Sequence, residues 1–297
     1  MLWFRNNEIQ MDKELKYIEY DKWFADQIVH GLQLNISEET ARQEYELFKT
    51  KPGRIDIPPI NNKAVLYFQE DNFYHVEKEM FSTDSDVRHK LIANREKYLG
   101  KPYTNITDAE LLRGFKISGI YQSYSHFSPL WTKWFVETYE LTYVADPFGG
   151  WGHHMLGVAA ADCKYVYNDL SHNTVDCVRQ MKDFFDIDAE IIEGDAREFI
   201  IPYACDGIFM CPPYYNTEIY ECGEFADRKE FDSMIKIVLD NCIHSNAKTI
   251  GVIVREDFEE LFVSCLGQFV RKENINVSTG HFNKSGKMHE YFYIWER

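Results

Sequence analysis

Residues 142–170 read TYVADPFGGWGHHMLGVAAADCKYVYNDL and contain two short apolar runs, with a glycine-rich turn and an alanine-rich segment between them. The runs Thr142–Phe148 and Tyr165–Leu170 contain β-branched and aromatic residues, which favours strands. The segment His154–Ala161 is typical of a helix. A strand, a turn, a helix and a second strand form the βαβ unit of a parallel sheet, so this stretch predicts an α/β fold.

The same alternation of strands and helices continues to the end of the chain. Further strands are predicted at Ala189–Gly194, Gly207–Met210 and Thr249–Val254. Segments with helical periodicity precede the first of these strands and lie between the last two. The last two predicted strands, Asn274–Phe282 and Glu290–Trp295, are joined by a short polar loop, which forces antiparallel pairing. The sequence therefore predicts a mixed sheet with helices on both faces and one reversed strand near its edge.

The N-terminal part of the chain lacks this regularity. Residues 12–49 and Lys90–Leu99 are predicted helices, Asp108–Phe115 is a shorter candidate helix, and the aromatic residues 63–76 are a candidate strand. Prolines and a glycine within residues 51–59 interrupt any regular element. We therefore expect a largely helical N-terminal extension.

Composition and charge limit the class of protein. The 297 residues are 45% hydrophobic and 27% charged, an ordinary globular composition that excludes disordered, collagen-like and coiled-coil proteins. The net charge of −16 argues against a broadly basic nucleic-acid coat protein, although a local basic cleft remains compatible with it. Residues 1–140 carry 18 Lys and Arg against 22 Asp and Glu, whereas residues 141–297 carry 14 against 26. An anionic partner should therefore find its cations mainly in the first half.

Cysteine usage and the chain start indicate the compartment. All seven cysteines lie in the second half and no two form a CxxC pair, so neither a disulfide framework nor a zinc ribbon is expected. The N-terminus lacks the apolar run of a signal peptide, and no stretch of ~18 apolar residues predicts a membrane span. We expect a cytoplasmic protein without a membrane partner. His153 and His154 lack a third ligand at suitable spacing, so no metal site is expected.

Glycines and acids stand where the predicted strands end. Gly150 and Gly152 let the backbone approach a ligand closely at the first turn. Asp146, Asp169 and Asp195 end three successive strands, and ligands of open α/β sheets bind at those ends. Asp169 is placed to accept hydrogen bonds from ribose hydroxyls, and Asp195 to reach an exocyclic amine on an adenine ring.

Two other interpretations of this turn stay open. In the first, the glycines only close a tight turn and the acids only cap helices, with no ligand involved. A nicotinamide nucleotide is the other alternative, but its usual motif has a third glycine where this chain has Met155.

The fourth predicted strand runs into Cys211-Pro212-Pro213-Tyr214. Two prolines end the strand and stiffen the backbone, so the carbonyls just before and between them can act as fixed acceptors in the cleft. The ring of Tyr214 offers a platform on which a planar base can stack.

These motifs resemble those of the S-adenosylmethionine-dependent amino-methyltransferases of DNA, which act on adenine N6 or cytosine N4. The family's Asp-Pro-Phe-x-Gly-x-Gly cofactor motif is matched by Asp146–Gly152, and its Asp/Asn/Ser-Pro-Pro-Tyr motif by Cys211–Tyr214. His126–Pro129 is similar to a His-Phe-x-Pro-like element of the family, and Met288–Trp295 to its last strand. The four elements follow the family's order.

The resemblance implies a class I methyltransferase, with a Rossmann-like seven-stranded mixed sheet at 118–297 after an extension at 1–117 that recognises DNA or a partner. It implies S-adenosylmethionine as cofactor, held by Phe127, Asp146, Pro147, Phe148, Gly150, Gly152, Asp169 and Asp195. It implies methyl transfer at Cys211, Pro212, Pro213 and Tyr214 without a metal, to a base that is flipped out of the duplex.

The longer run Pro-Pro-Tyr-Tyr-Asn-x-Glu-x-Tyr, which includes Tyr215 and Glu218, looks most like phage DNA methyltransferases. This likeness implies DNA modification of the restriction-modification kind in a bacterial host or phage-infected cell. Tyr215 and Glu218 are candidate substrate contacts, although Glu218 is equally placed to cap the next segment.

Two positions depart from the family pattern. Cys211 stands where the family has Asp, Asn or Ser to accept a hydrogen bond from the target amine, and a thiol is a poor acceptor. The carbonyl of Pro212 is a substitute acceptor. Trp151 stands where the family often has a small residue. A nucleophilic role of Cys211, as in C5-pyrimidine methylation, requires the cysteine after the proline, so a small buried residue is the stronger alternative.

The alternatives at the level of function are an RNA or modified-nucleotide amino-methyltransferase and a catalytically impaired S-adenosylmethionine-binding protein. Lys90, Arg95 and Lys97 belong to the best basic cluster and are candidate DNA contacts, or else part of a solvated helix face. Trp131, Trp134 and Phe135 are expected in the core rather than against a base.

Overall fold

The computed structural model describes residues 16–23, 36–56, 62–69, 85–107, 110, 127–214, 225, 227–275, 282–283, 286–287 and 289–297. In these ranges the helices are α1 (Glu38–Thr50), α2 (Ser85–Leu99), α3 (Pro129–Tyr139), α4 (His153–Ala159), α5 (His172–Phe185), α6 (Arg228–Ile243) and α7 (Glu259–Leu266). Residues 16–23 and 63–69 are also helical, and 3-10 turns occupy Tyr103–Asn105 and Glu256–Phe258. Tyr215, Glu218, His126 and most of the predicted helix Asp108–Phe115 lie outside the described residues.

The strands are β1 (Tyr143–Asp146), β2 (Lys164–Asp169), β3 (Ala189–Glu193), β4 (Gly207–Met210), β5 (Thr249–Arg255), β6 (Arg271–Asn274), β7 (Phe282–Asn283), β8 (Gly286–Lys287) and β9 (Glu290–Glu296). Seven of them form one sheet in the order β3-β2-β1-β4-β5-β9-β6, and β7 pairs with β8 in a separate hairpin. Neighbours from β3 to β5 are parallel, and β9 is antiparallel to both β5 and β6. The predicted Rossmann-like seven-stranded mixed sheet is confirmed.

The sixth strand is displaced from its predicted position. It spans Arg271–Asn274, whereas the predicted strand began at Asn274. Ile275 follows it outside any strand, residues 276–281 lie outside the described residues, and Phe282 belongs to β7. The polar loop predicted before β9 contains the hairpin of β7 and β8. The displacement arises because β6 has a charged sequence, Arg-Lys-Glu-Asn, that carries no apolar strand signal.

Both faces of the sheet are buried, as expected for parallel strands covered by helices. Along β4, Phe209 contributes to one core cluster, whereas Ile208 and Met210 contribute to the other. Trp131 and Phe135 of α3 are 2% and 0% exposed and lie in the first cluster, which confirms their predicted place in the core.

The chain forms two compact units that interleave along the sequence: residues 1–35 with 70–123, and residues 36–69 with 124–297. This division differs from the predicted boundary at residue 117, because residues 36–69 pack with the sheet. Lys133 on α3 donates to the carbonyls of Phe48 and Lys49 at 3.0 and 2.8 Å. We call residues 36–69 and 124–297 the sheet unit.

The strand predicted at residues 63–76 is wrong over 63–69, which are helical. The carboxylate of Glu44 on α1 accepts a hydrogen bond from the Ala64 amide at 2.7 Å, and Val65 is buried in the first core cluster. An acceptor for a first-turn N–H and a buried apolar side favour a helix over a strand. Residues 70–76 lie outside the described residues. Within the part of the chain that the structure describes, no helix is both long and apolar enough to cross a membrane.

Glu44 is expected to make the stability of the sheet unit depend on pH. Burial raises the pKa of Glu44 to about 7, against the opposing effects of the Ala64 amide and Lys63. The folded chain therefore binds more protons than the unfolded chain between pH 4.5 and about 7, so the free energy of unfolding should fall as pH rises through this window and level off above it.

The loss between pH 5 and pH 8 should be about 2 kcal/mol, allowing for partial solvent screening. Urea unfolding at the two pH values measures it. Glu44→Gln keeps an oxygen acceptor for the Ala64 amide and should remove most of this pH dependence. Glu46→Gln, on the exposed side of the same helix, is the matched control and should leave the dependence in place. A dependence that survives in Glu44→Gln would assign it to another group.

Candidate functional site

The turn between β1 and α4 packs directly against β2. A Cβ atom at residue 149 would lie 2.1 Å from a ring carbon of Tyr167, so Gly149 allows a contact that no other residue permits. The Tyr167 hydroxyl donates to the carbonyl of Gly150 at 2.6 Å and fixes the same turn. The sequence alone did not indicate a role for Gly149. The signal that could have indicated it was the bulky Tyr167 in the neighbouring strand.

Gly150 and Gly152 both have a left-handed backbone, with φ of 55° and 92°. A Cβ atom at residue 150 would meet nothing within 4 Å among the described residues, whereas one at residue 152 would lie 3.0 Å from the sulfur of Met181 on α5. Of the two predicted cofactor glycines, Gly150 therefore borders open space and Gly152 packs against a helix. Gly150 is the position where a ligand can approach the backbone.

Asp169 links the end of β2 to the glycine turn. Its carboxylate accepts hydrogen bonds from the amides of Gly150 at 3.0 Å and Ser171 at 2.9 Å. Burial raises the pKa of Asp169, and these two N–H donors counteract part of that rise. The structure thus places Asp169 at the carboxyl end of β2, beside Gly150, as the sequence predicted.

Asp146 is fully buried and satisfied from inside the fold. It accepts hydrogen bonds from the Phe148 amide at 2.9 Å and the Tyr165 hydroxyl at 2.7 Å, and its Oδ2 lies 2.7 Å from Nδ1 of His154. Because a carboxylate accepts, we assign the Nδ1 proton to His154. Asp146 therefore holds the turn through hydrogen bonds inside the fold, and its predicted contact with a cofactor stays a prediction.

Asn168 ties together two loops at the same edge of the sheet. Its amide nitrogen donates to the carbonyls of Pro147 at 3.1 Å and Gly194 at 3.0 Å. These carbonyls belong to the turns after β1 and β3. Asn168 is 1% exposed, and its Oδ1 has no hydrogen-bond partner among the described residues. A buried asparagine near the end of β2 forms this clamp, and the sequence carries no distinct signal for it because the polar Asp169 follows directly.

Asp195 follows β3, and its carboxylate is bonded to a nearby arginine. Its carboxylate accepts from the Arg197 amide at 2.8 Å and forms an ion pair with the Arg197 guanidinium, which lowers the pKa of Asp195. A contact between Asp195 and an exocyclic amine, as predicted, would therefore share the carboxylate with Arg197.

Phe127 and Phe148 lie on different sides of the sheet. Phe127 is 8% exposed, and its ring packs against His154 at 4.3 Å and Phe209 at 5.7 Å between centroids. Phe148 is half-buried and packs against the second core cluster. The structure thus commits Phe127 to the core rather than to an open cleft.

The Cys-Pro-Pro-Tyr segment follows β4 directly and crosses the end of the sheet. Cys211 is half-buried and packs against the first core cluster, whereas Tyr214 belongs to the second. Pro212 is buried and Pro213 is half-buried. Since β4 pairs with β1, this segment and the glycine turn leave neighbouring strands at the same edge.

The ring of Tyr214 differs from the open stacking platform that the sequence predicted. Tyr214 is 5% exposed, and its ring centroid lies 4.6 Å from the Arg255 guanidinium carbon and 5.6 Å from the Phe258 ring. Its hydroxyl donates to Glu290 at 2.8 Å and accepts from the Arg255 amide at 3.1 Å. The hydroxyl bonds draw the ring into the fold, a long-range effect that the local motif does not contain.

The predicted basic cluster is divided between surface and interior. Lys90 and Lys97 on α2 are exposed. Arg95 is 6% exposed and its Nε donates to the carbonyl of Glu110 at 2.8 Å, so a role in holding the fold replaces the predicted contact with DNA. Lys101 forms an ion pair with the Glu110 carboxylate at 2.5 Å.

Among the described residues, no group of three His, Cys, Asp or Glu side chains could hold a metal ion.

Comparisons with known proteins find distant similarity. No protein-family model and no curated protein sequence matches the chain. Among solved structures, TrmN from Thermus thermophilus has 13% identity and a TM-score of 0.43 over 57% of this chain and 48% of its own. TehB from Haemophilus influenzae has 12% identity and a TM-score of 0.41 over 62% of this chain and 66% of its own.

A third similar structure is the 16S rRNA N2 G1207 methyltransferase RsmC from Thermus thermophilus, in complex with AdoMet and guanosine. It has 14% identity and a TM-score of 0.37 over 52% of this chain and 37% of its own. The match covers less than two thirds of each of these three chains. Similarity of this extent carries no inference about activity or substrate.

Proposed function

We propose that the protein transfers a methyl group from S-adenosylmethionine to an exocyclic amino group of a base in DNA, at adenine N6 or cytosine N4. One observation carries the proposal: the glycine turn and the Cys-Pro-Pro-Tyr segment leave the adjacent strands β1 and β4 at one edge of the sheet. A cofactor motif and an amine-binding motif are thereby brought side by side, at the edge where open α/β sheets bind ligands.

The residues at this edge fit a cationic cofactor that carries a ribose. Gly150 leaves space for a ligand beside the backbone, and Asp169 offers a carboxylate next to it. Asp195 follows β3 as a further carboxylate, which is paired with Arg197. When bound, S-adenosylmethionine supplies an electrophilic methyl group on a sulfonium. The chain's own part is to bind the cofactor and to position the amine that receives the methyl group.

The Cys-Pro-Pro-Tyr segment supplies acceptors for that amine. An exocyclic amine conjugated to a ring is a weak nucleophile, and acceptors for its N–H groups orient its lone pair. The carbonyl of Pro212 is a fixed acceptor because proline restrains the backbone on both sides. Cys211 adds a weak acceptor beside it. A base in a duplex must leave the stack to reach this edge.

Methyl transfer from labelled S-adenosylmethionine by the full-length chain tests the proposal. With duplex DNA, single-stranded DNA and tRNA as parallel substrates, we expect label in DNA, recovered as N6-methyladenine or N4-methylcytosine after nucleoside analysis. Cys211→Ser restores a hydroxyl acceptor and should raise the rate constant about threefold or more, because a hydroxyl accepts better than a thiol. Cys177→Ser, a half-buried position on α5, is the matched control.

Each other outcome has a definite meaning. Label in tRNA alone would replace DNA by RNA as the substrate class. The substitution of the usual acceptor by Cys211 favours one further candidate, a cofactor-binding protein without transfer activity. Calorimetric binding of S-adenosylmethionine without transfer to any of the three nucleic acids, in the native chain and in Cys211→Ser, would support that candidate and contradict the proposal.

A further inference from the structure

The hydroxyl of Tyr214 is held from two directions. It donates to Oε1 of Glu290, the first residue of β9, at 2.8 Å. It accepts from the backbone amide of Arg255, the last residue of β5, at 3.1 Å. Both capacities of the hydroxyl are thereby used, and both partners belong to the central sheet.

The sheet register brings these two partners together. Arg255 and Glu290 are opposite each other in the antiparallel pair of β5 and β9. Met210, the last residue of β4, is level with Val252 on β5. The segment that follows Met210 therefore continues along the projecting end of β5, and Tyr214 reaches its final residue.

The ring of Tyr214 is enclosed as well as its hydroxyl. The guanidinium of Arg255 lies 4.6 Å from the ring centroid, a cation–π distance. That guanidinium is held in turn by Asp257, with Nε–Oδ1 and Nη2–Oδ2 distances of 3.0 and 2.8 Å. Phe258 packs against the same ring. The ring is thus bonded at its tip and covered on its surface.

We infer that Tyr214 is a positioning residue, clamped by Glu290 and the Arg255 amide, which sets the place of Cys211 and of the Pro212 carbonyl at the end of β4. The inference rests on the proposed function for its catalytic consequence. Only Pro212 and Pro213 separate Cys211 from Tyr214, so a fixed end at Tyr214 transmits its position through a stiff backbone. Glu290 acts through Tyr214 and joins the site as a second positioning residue.

Removing the hydroxyl distinguishes clamping from stacking. Tyr214→Phe keeps the ring, so a stacking residue would tolerate it, whereas a clamp would fail. We expect kcat to fall about 30-fold with the KM for S-adenosylmethionine within about twofold, since displacement of a reacting group by about 1 Å can cost up to 100-fold. Tyr203→Phe removes a hydroxyl from a ring that is 87% exposed and serves as the matched control.

Glu290 should show the same dependence on an acceptor. Glu290→Ala should lower kcat by no more than Tyr214→Phe, which also removes the bond from the Arg255 amide, and Glu290→Gln, which keeps an oxygen acceptor, should recover most of that loss. The double variant with Tyr214→Phe and Glu290→Ala should lose no more than Tyr214→Phe alone, because that variant already removes the bond to Glu290. Additive losses would contradict a shared clamp.

A readout independent of catalysis separates this inference from the proposed function. The rate of Cys211 alkylation by iodoacetamide, resolved by peptide mass spectrometry, should rise at least about fivefold in Tyr214→Phe and in Glu290→Ala as the segment loosens. Cys242, which is 0% exposed, reports global opening in the same sample and should stay unchanged.

The outcomes are distinguishable. A native chain that transfers no methyl group, with alkylation faster at Cys211 in both variants, would refute the proposed function and leave the clamp intact. Tyr214→Phe with native kcat and native alkylation at Cys211 would overturn the clamp. Equal acceleration at Cys211 and Cys242 would also overturn it, since it would assign the hydroxyl a purely global role in stability.

Discussion

Replacing Gly149 by alanine is expected to lower the free energy of unfolding of the sheet unit by about 3 kcal/mol, at the upper end of the cost of overpacking. The added Cβ would lie 2.1 Å from a ring carbon of Tyr167, a distance that requires one of the two to move. Tyr167 has little freedom to move, because it is 0% exposed and its hydroxyl is bonded to the carbonyl of Gly150.

At the neighbouring Gly150, the main effect of an alanine is expected on cofactor affinity rather than on stability. Gly150→Ala should cost only about 1 kcal/mol, for its left-handed backbone, because a Cβ there meets no described residue within 4 Å. The new methyl group would occupy the space beside the turn, so affinity for S-adenosylmethionine should fall at least about 30-fold while the protein stays folded.

Urea unfolding and titration calorimetry on the two variants test this pair. Gly100→Ala is the matched control, because Gly100 has a φ of 64°, its Cβ would meet nothing within 4 Å in the part of the chain that the structure describes, and it lies outside the sheet unit. It should reproduce the small stability cost of Gly150→Ala with no effect on cofactor affinity. Native stability in Gly149→Ala would show that the turn adapts, and native affinity in Gly150→Ala would move the cofactor away from this turn.

The sheet was predictable because its strands carry local signals. Strands β1, β4 and β5 are largely apolar, and helices with clear N-caps, Ser171 before α5 and Asp227 before α6, separate β2 from β3 and β4 from β5. The segment 63–69 was not predictable as a helix, because its aromatic residues suit either element. Its first turn is bonded to Glu44, which accepts from the Ala64 amide across 20 positions of sequence, a contact that no local pattern contains.

The site was predictable in position and less so in its partners. Gly150 and Asp169 stand where the sequence placed them, because strand ends in a parallel sheet share one edge. The inward turn of Tyr214 depends on Glu290, 76 residues away, and no local pattern contains that partner. The same holds for Arg95. Its basic cluster suggested an exposed side chain, and the sequence does not show that Arg95 donates a hydrogen bond to the Glu110 carbonyl. Long-range hydrogen bonds decide which polar residues of a motif stay available.

Asp169→Ala is expected to lower affinity for S-adenosylmethionine about 100-fold, which corresponds to about 2.7 kcal/mol. The carboxylate carries two connected tasks: it accepts from the Gly150 amide, and it lies at the end of β2 where ribose hydroxyls are expected. Its removal frees the turn and also deletes the acceptor. The free energy of unfolding should fall by a smaller amount, about 1–2 kcal/mol, because two amides lose an acceptor.

A control variant in the same unit separates the effect of net charge from the effect of where the carboxylate lies. Asp183→Ala also removes one carboxylate, but from a side chain of α5 that is 80% exposed, and it should leave both affinity and stability unchanged. Titration calorimetry with S-adenosylmethionine and with its demethylated product, S-adenosylhomocysteine, should show the same loss for Asp169→Ala, since the ribose is common to both ligands. A loss confined to S-adenosylmethionine would instead place Asp169 beside the sulfonium, and equal losses in both aspartate variants would reduce the effect to net charge.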